Sequence, residues 1–181
     1  MSIAKLLNYT YDDYKNWEGD WELIDGIPVS TAPVPVKIHQ MIAGELFFYL
    51  KQELDDSCLD CELLYEVDWK ISNSTTLRPD IVLSCNDDAD RYLTKAPKII
   101  IEILSPSTAQ KDETIKFDIY EEENVQYYIL VYPSDLKAKA YSLKENKYSK
   151  LGDFTNEKLK FDGIDCDIEL DFEKVFRKFR K

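Results

Sequence analysis

The central part of the chain reads Arg-Pro-Asp-Ile-Val-Leu-Ser at residues 78–84, Lys-Ile-Ile-Ile-Glu-Ile-Leu-Ser-Pro-Ser-Thr at residues 98–108 and Asp-Glu-Thr-Ile-Lys-Phe-Asp-Ile-Tyr at residues 112–120. The second segment holds a β-branched apolar run of strand length between two prolines, which is typical of a strand covered on both faces. Glu102 interrupts this run. Because a buried carboxylate costs several kcal/mol without a cation or strong donors, we expect Glu102 to be either compensated or neutralised.

A second carboxylate stands at the start of another apolar run. Asp80 precedes Ile81-Val82-Leu83, which also has the composition of a central strand. Two carboxylates on neighbouring strands can share one divalent ion. Mg²⁺ (or Mn²⁺) suits such a site because it accepts one or two carboxylates, keeps several waters and leaves positions open to phosphate oxygens. Asp80 and Glu102 are therefore candidate metal ligands.

A helical pattern follows the Ser-Pro-Ser-Thr break. Asp112, Lys116 and Tyr120 recur at i, i+4 and i+8 along one stripe, and Ile115 and Ile119 are predicted to mark an adjacent buried stripe. Lys116 can then point back over the strand ends, where an ammonium stabilises a hydroxide nucleophile or the charge developing on a phosphate. The alternative is an ordinary Asp112–Lys116 helix pair worth roughly 0.3–0.5 kcal/mol, because structural ion networks give the same pattern.

The order of these motifs, followed by Val-Gln-Tyr-Tyr-Ile-Leu-Val-Tyr-Pro at residues 125–133, resembles the Uma-type family of restriction endonuclease-like proteins, within the PD-(D/E)XK nuclease superfamily. Asp-Trp-Glu-Leu-Ile-Asp-Gly at residues 20–26 and His39-Gln40 also resemble it. The resemblance covers about residues 9–176. It implies one α/β (α+β) domain with a mixed central β-sheet flanked by α-helices, and a metal-dependent endonuclease acting on DNA.

The resemblance also assigns roles. It implies that Asp80 and Glu102, helped by the backbone carbonyl of Ile103, hold the metal and that Lys116 is the catalytic lysine. The superfamily usually places this lysine two residues after the second acid, but Leu104 stands there in this chain. The Uma-type family supplies the lysine from the following helix instead, so the departure does not by itself indicate an inactive protein.

Further residues are candidates for supporting roles. Glu22 is either an anchor for a second ion or the metal's water shell, or a solvated strand acid. His39 is either a phosphate-contacting or water-orienting residue, or a structural histidine. Asp112 and Tyr120 are expected to support the site.

Length and charge limit the alternatives. A chain of 181 residues with 44% hydrophobic residues suits a single domain. The start contains no apolar segment of signal length and no run is long enough to span a membrane, so a cytoplasmic location is expected. The net charge of −12 opposes broad phosphate binding. A metal, local basic clusters or a second subunit must therefore supply the positive surface, and a homodimer is expected because a duplex has two strands.

The same charge supports a competing class of protein. A catalytically silent nucleic-acid-binding or assembly protein could keep the fold without the chemistry. Such a protein would show no protection against melting by Mg²⁺ or Mn²⁺.

The four cysteines are expected to be reduced thiols rather than a disulfide framework. Cys58-x-x-Cys61 has the spacing of half a zinc site, but no second Cys-x-x-Cys exists and the single histidine offers no paired spacing. Zinc is therefore disfavoured on sequence. Cys61 is interpreted as the beginning of the buried face of a strand.

Sequence patterns also predict the remaining elements. The order of the Glu102 strand, the Lys116 helix and the strand over residues 126–132 predicts a parallel crossover. The basic tail could contact a nucleic-acid backbone or form a solvated helix face. The predicted elements are a short helix beginning after Thr10, a hairpin turning at Asp25-Gly26, an amphipathic helix over residues 37–54, a strand over 61–71, a strand over 126–132, a hairpin over 136–151 and a short helix from Phe172.

Overall fold

The computed structural model describes residues 8–31, 36–54, 58–106, 109–164 and 166–180. The helices in these ranges are α1 (Tyr11–Tyr14), α2 (Lys37–Glu53), α3 (Ala109–Glu113), α4 (Ile115–Glu122) and α5 (Phe172–Phe176), with a 3₁₀ turn at Arg177–Phe179. The strands are β1 (Trp21–Ile24), β2 (Ile27–Ser30), β3 (Cys61–Tyr65), β4 (Trp69–Lys70), β5 (Thr76–Leu77), β6 (Ile81–Cys85), β7 (Ile99–Ile103), β8 (Tyr127–Tyr132), β9 (Lys137–Lys144), β10 (Lys147–Phe154), β11 (Lys158–Phe161) and β12 (Ile168–Asp171).

The main sheet is mixed, as predicted. Within the described ranges its strand order is β10-β9-β8-β7-β6-β3. Strands β7 and β8 are parallel, and α3 and α4 connect them, which confirms the predicted crossover. The β9–β10 hairpin forms one edge of the sheet, also as predicted. A second sheet has the order β2-β1-β5-β4, and β11 pairs with β12.

The two faces of β7 contact different layers. Ile99, Ile101 and Ile103 belong to the core that includes apolar residues of α2 and α5. Ile100 belongs to a second core, which contains Tyr120 of α4. Because side chains alternate along a strand, Glu102 shares the side of Ile100 and faces α4. The sheet thus directs one carboxylate into an otherwise apolar layer.

Several local predictions are confirmed. The backbone at Asp25 and Gly26 has φ of 49° and 76°, as a two-residue hairpin with both central residues left-handed requires. Helix α2 buries Ile42, Leu46 and Leu50, which recur at helical spacing. The amphipathic pattern therefore identified both the helix and its buried face.

The predicted strand over residues 61–71 is wrong as a continuous element. It ends at Tyr65, Glu66 takes a left-handed conformation with φ of 42°, and β4 joins the other sheet. The backbone N–H of Glu66 donates to the Asp80 carbonyl at 3.1 Å, which holds this bend. The alternation of apolar and polar residues in the sequence continues across the bend because β3 and β4 each bury one face.

The helix after β7 also differs from the prediction. A break at Thr114 separates α3 from α4. Ile115 is 49% exposed and not part of a buried stripe, whereas Lys116 and Tyr120 are buried. The polar stripe points inward because Glu102 lies beneath it and supplies hydrogen-bond acceptors.

The expectation of free thiols is also contradicted. Cys58 pairs with Cys166 and Cys61 pairs with Cys85 as disulfides. The sequence could not show this because Cys85 lies opposite Cys61 in the β3–β6 register and Cys166 comes from the distant β11–β12 connection. Cys61 does begin a strand, but it is only partly buried.

Some predictions fall outside the described residues or remain untested. The two prolines at positions 33 and 35 predict a loop over residues 31–36, of which residues 32–35 lie outside the described ranges. Ser107 and Thr108 of the Ser-Pro-Ser-Thr motif also lie outside them. The single-domain organisation stays a prediction. Within the described ranges, no helix combines the length and apolar character needed to cross a membrane.

Candidate active site

The two predicted acids are cross-strand neighbours. In the antiparallel β6–β7 pair Ile81 lies opposite Ile101, so one further step places Asp80 opposite Glu102 on the same side of the sheet. The Asp80 backbone nitrogen lies 3.4 Å from Oε2 of Glu102. The Ile103 backbone N–H donates to Oδ2 of Asp80 at 2.6 Å. Asp80 and Glu102 are thus brought together, whereas the Ile103 backbone contacts Asp80 through its N–H, and the predicted role of its carbonyl stays a prediction.

Glu102 is buried, with 3% of its surface exposed. Its Oε1 accepts hydrogen bonds from Nζ of Lys116 at 2.9 Å and from the Tyr120 hydroxyl at 2.8 Å. Burial, opposed by Lys116 and reinforced by nearby carboxylates, raises the pKa of Glu102 to about 8. Without a bound cation, burial thus favours the protonated form of Glu102, while Lys116 and the Tyr120 hydroxyl compensate the ionised form.

Lys116 lies among three acids. Its Nζ is 2.9 Å from Oε1 of Glu102, 2.8 Å from Oε1 of Glu22 and 3.5 Å from Oδ1 of Asp112. Burial by itself lowers the pKa of Lys116, but the charges of these carboxylates outweigh it and hold the pKa well above its ordinary value. The lysine therefore carries a positive charge at neutral pH in a site closed to solvent.

Glu22 contacts cations through both of its oxygens. Oε2 contacts Nζ of Lys111 at 2.6 Å, while Oε1 contacts Lys116 and accepts the Arg78 backbone N–H at 3.0 Å. Burial raises the pKa of Glu22, but Lys116 and Lys111 outweigh it, so the pKa lies below its ordinary value. Glu22 is consequently an ionised anchor for Lys116, and its role toward a second ion stays a prediction.

His39, near the N-terminus of α2, reaches the outer side of Asp80. Its Nε2 lies 3.3 Å from Oδ2 of Asp80. Burial lowers the pKa of His39, but the hydrogen bond and charge of Asp80, helped by the Ile103 backbone, outweigh it and raise the pKa. The imidazole can thus hold Asp80 in one orientation.

The donor set fits a small divalent ion. With the four cysteines paired as disulfides, the described residues contain no group of three or more His, Cys, Asp and Glu side chains arranged to hold a metal ion. Mg²⁺ requires less, because one or two carboxylates suffice when waters and substrate oxygens complete the shell. The described residues donate no hydrogen bond to Oδ1 of Asp80, and Oε2 of Glu102 has only the long contact with the Asp80 nitrogen. One oxygen on each acid therefore lacks a short hydrogen bond from the described residues, which is compatible with a shared cation.

The sequence interpretation missed two cationic residues. Lys111 precedes the break in the predicted helix, so its spacing from Lys116 gave no sign that both contact Glu22. Arg78 was quoted only as part of a motif, although its Nε donates to Oδ1 of Asp68 at 2.8 Å and its Nη2 to the Tyr14 hydroxyl at 3.3 Å. These contacts fix the segment that leads into Asp80.

A cleft of about 440 Å³ lies beside this region and combines cations with aromatic rings. Nζ of Lys70 lies 4.3 Å from the ring centroid of Tyr11 and 5.5 Å from that of Tyr92. Lys15 and Arg91 also line the cleft, together with two aspartates. A smaller adjoining cleft shares Arg91 and is lined by Arg78. We call the larger one the cationic cleft.

The mixed sheet, the paired acids on β6 and β7 and the lysine from the following helix define the restriction-endonuclease-like class of fold. The Uma2 family, described as "Putative restriction endonuclease", matches residues 10–172. The chain belongs to this family. No functionally curated protein matches it.

A solved structure has the same fold. It is described as "a putative nuclease belonging to DUF820" from Anabaena variabilis, and it is 17% identical to this chain with a TM-score of 0.72. The match covers 93% of this chain and 97% of that chain. The predicted fold class is thereby confirmed, and the family match supports a nuclease.

Proposed function

We propose that this chain is a metal-dependent endonuclease that hydrolyses phosphodiester bonds in DNA. The observation that carries the proposal is the position of the buried Lys116 ammonium, 2.9 Å from a carboxylate whose cross-strand neighbour is Asp80. Asp80, Glu102 and the backbone carbonyl of Ile103 would hold Mg²⁺ or Mn²⁺. When bound, the ion supplies Lewis-acid polarisation of a phosphate oxygen and lowers the pKa of a water molecule.

The protein's own groups divide the remaining tasks. Lys116 provides a fixed positive charge toward a phosphate whose negative charge increases in the transition state. Glu22 and Asp112 keep this ammonium charged and in place. Tyr120 orients Glu102, and His39 orients Asp80. Because the site is largely closed to solvent, these interactions are stronger than they would be in water.

Substrate binding requires a positive surface on an acidic protein. The cationic cleft supports nucleic-acid binding because its lysines and arginine can contact phosphates and its tyrosines can stack on bases. We further propose a homodimer, in which two sites address the two strands of a duplex. A cytoplasmic location likewise remains a prediction.

Cleavage of supercoiled plasmid DNA with Mg²⁺ or Mn²⁺ tests the proposal. We expect metal-dependent nicking that is lost in Asp80→Ala, Glu102→Ala and Lys116→Ala. Unchanged cleavage in these variants would assign the activity to another site or to a contaminant. Circular dichroism of each variant checks that loss of activity does not reflect loss of folding.

The net charge of −12 favours a second candidate, a catalytically silent nucleic-acid-binding or assembly protein with the same fold. Such a protein has no need for a metal-binding pair of acids. No rise in melting temperature with Mg²⁺ or Mn²⁺, combined with DNA binding in chelator, would favour it over the nuclease.

A further inference from the structure

The four cysteines of the sequence meet in one cluster, although they come from three separate parts of the chain. Cys58 and Cys61 lie in the segment after α2, Cys85 ends β6 and Cys166 lies between β11 and β12. The two pairs are adjacent, with Sγ of Cys166 3.6 Å from Sγ of Cys61. We call these residues the four-sulfur cluster.

We propose that in the reduced protein the four-sulfur cluster binds one Zn²⁺ as a closed tetrathiolate site. Four thiolates around Zn²⁺ with Zn–S bonds of about 2.3 Å place neighbouring sulfurs about 3.8 Å apart. The distance between Cys61 and Cys166 already agrees with this value. The Cys58-x-x-Cys61 turn supplies a chelating pair, and the fold brings the two further ligands that the sequence spacing lacked.

The surroundings favour a structural metal. Cys58, Cys85 and Cys166 are 5–6% exposed and belong to the same apolar core as α2 and α5. Such a location admits no open coordination position for a substrate. The cluster joins the β3–β6 edge of the main sheet to the β11–β12 connection, so a bound ion would stabilise this part of the fold.

The zinc site and the nuclease site are separate. Asp80 precedes β6 and Cys85 ends it. A strand of this length holds the two positions about 17 Å apart. Failure of one proposal therefore leaves the other intact.

The redox step is simple. A small-molecule thiol or phosphine reductant delivers two electrons to each disulfide, each S–S bond breaks, and two protons complete each pair of thiols. Zn²⁺ then replaces the thiol protons, which pass to solvent. In a reducing compartment disulfides rarely persist, so the thiol form is the one that meets zinc there.

Cobalt titration of the reduced protein under inert gas tests the proposal. We expect intense tetrahedral d–d bands and a thiolate-to-cobalt charge-transfer band that saturate at one Co²⁺ per chain and that Zn²⁺ removes. With Zn²⁺ bound, all four thiols should resist a thiol-reactive dye until a chelator extracts the ion. Cys85→Ser and Cys166→Ser should weaken metal binding by more than about 100-fold.

The controls separate the possible results. Asp80→Ala and Glu102→Ala should leave the cobalt spectrum unchanged. The cobalt titration is made on the wild-type protein, so its result does not depend on whether the cysteine variants fold. Four dye-reactive thiols in folded, reduced protein with zinc present would overturn the proposal. So would two disulfides that survive reductant in the folded chain, detected as a mass four hydrogens below that of the thiol form.

Discussion

Nζ of Lys116 on α4 and Oε1 of Glu102 on β7 lie 2.9 Å apart in a contact closed to solvent. Glu22 on β1 holds the same ammonium at 2.8 Å. Three elements therefore fix one buried charge beside the acid that faces Asp80.

Replacement of Lys116 by Met should reduce the rate of DNA cleavage by about 10²–10³-fold, because removing one preorganised donor to a developing charge has this effect in other enzymes. Lys111→Met is the matched control. It removes a second ammonium from Glu22, one that is only partly buried and makes no contact with Glu102 in the described structure. We expect a loss below about tenfold in Lys111→Met. Equal losses in single-turnover assays would contradict a special role for Lys116.

Metal-free protein should lose stability as the pH rises, because of Glu102. Its folded-state pKa of about 8 lies above the ordinary value of 4.5, so the folded protein binds more protons than the unfolded chain between these values. The free energy of unfolding therefore falls as the pH rises through this window.

Glu102→Gln isolates this contribution, because glutamine keeps the shape and cannot ionise. The difference in unfolding free energy between Glu102→Gln and wild type should grow by roughly 3–4 kcal/mol from pH 5 to pH 8. Urea denaturation in chelator measures it. Parallel pH profiles for the two proteins would show that the pKa of Glu102 is not raised.

The single histidine reports on Asp80 directly. In tag-free protein the imidazole gives one set of NMR signals, and Asp80→Asn should lower the pKa of His39 because it removes the carboxylate charge and its hydrogen bond. Saturating Mg²⁺ should lower it as well, since a cation at Asp80 opposes protonation nearby. A pKa unaffected by both changes would place neither Asp80 nor the ion next to His39.

Reversal of one charge in the cationic cleft should weaken DNA binding. Arg91→Glu is expected to reduce affinity about tenfold and to lower the dependence on salt by roughly one to two phosphate contacts. Lys144→Glu, an exposed position on the β9–β10 hairpin, makes the same charge change at the other edge of the main sheet. Equal effects in anisotropy titrations with chelator present would indicate only a change of net charge.

The sequence was sufficient for the parts of the site that depend on local pattern. Apolar runs identified β6 and β7, and the spacing of Lys116 and Tyr120 gave the correct face of α4. The alternation rule then places Glu102 toward that face. Residue spacing alone did not decide whether Asp80, Glu102 and Lys116 form a catalytic set or a structural ion network. Their catalytic roles were implied only by the family resemblance.

The rest depends on contacts between distant segments. Glu22 contacts Lys111 of α3 and Lys116 of α4 only because the fold brings β1, which belongs to a different sheet, close to both side chains. The bend at Glu66 is held by its backbone hydrogen bond to the Asp80 carbonyl, which interrupts the regular strand. The helix break at Thr114 comes two residues before the buried Lys116. No spacing rule foretold these features.

Whether Asp80 and Glu102 form a metal site is tested by calorimetric titration of Mn²⁺ into wild type, Asp80→Ala and Glu102→Ala. Each titration is made with and without a DNA oligonucleotide. We expect stoichiometric binding by wild type that both substitutions abolish, while each variant keeps its fold by circular dichroism. Variants that bind like wild type, or folded wild type that binds no ion even with DNA present, would contradict a metal site at Asp80 and Glu102.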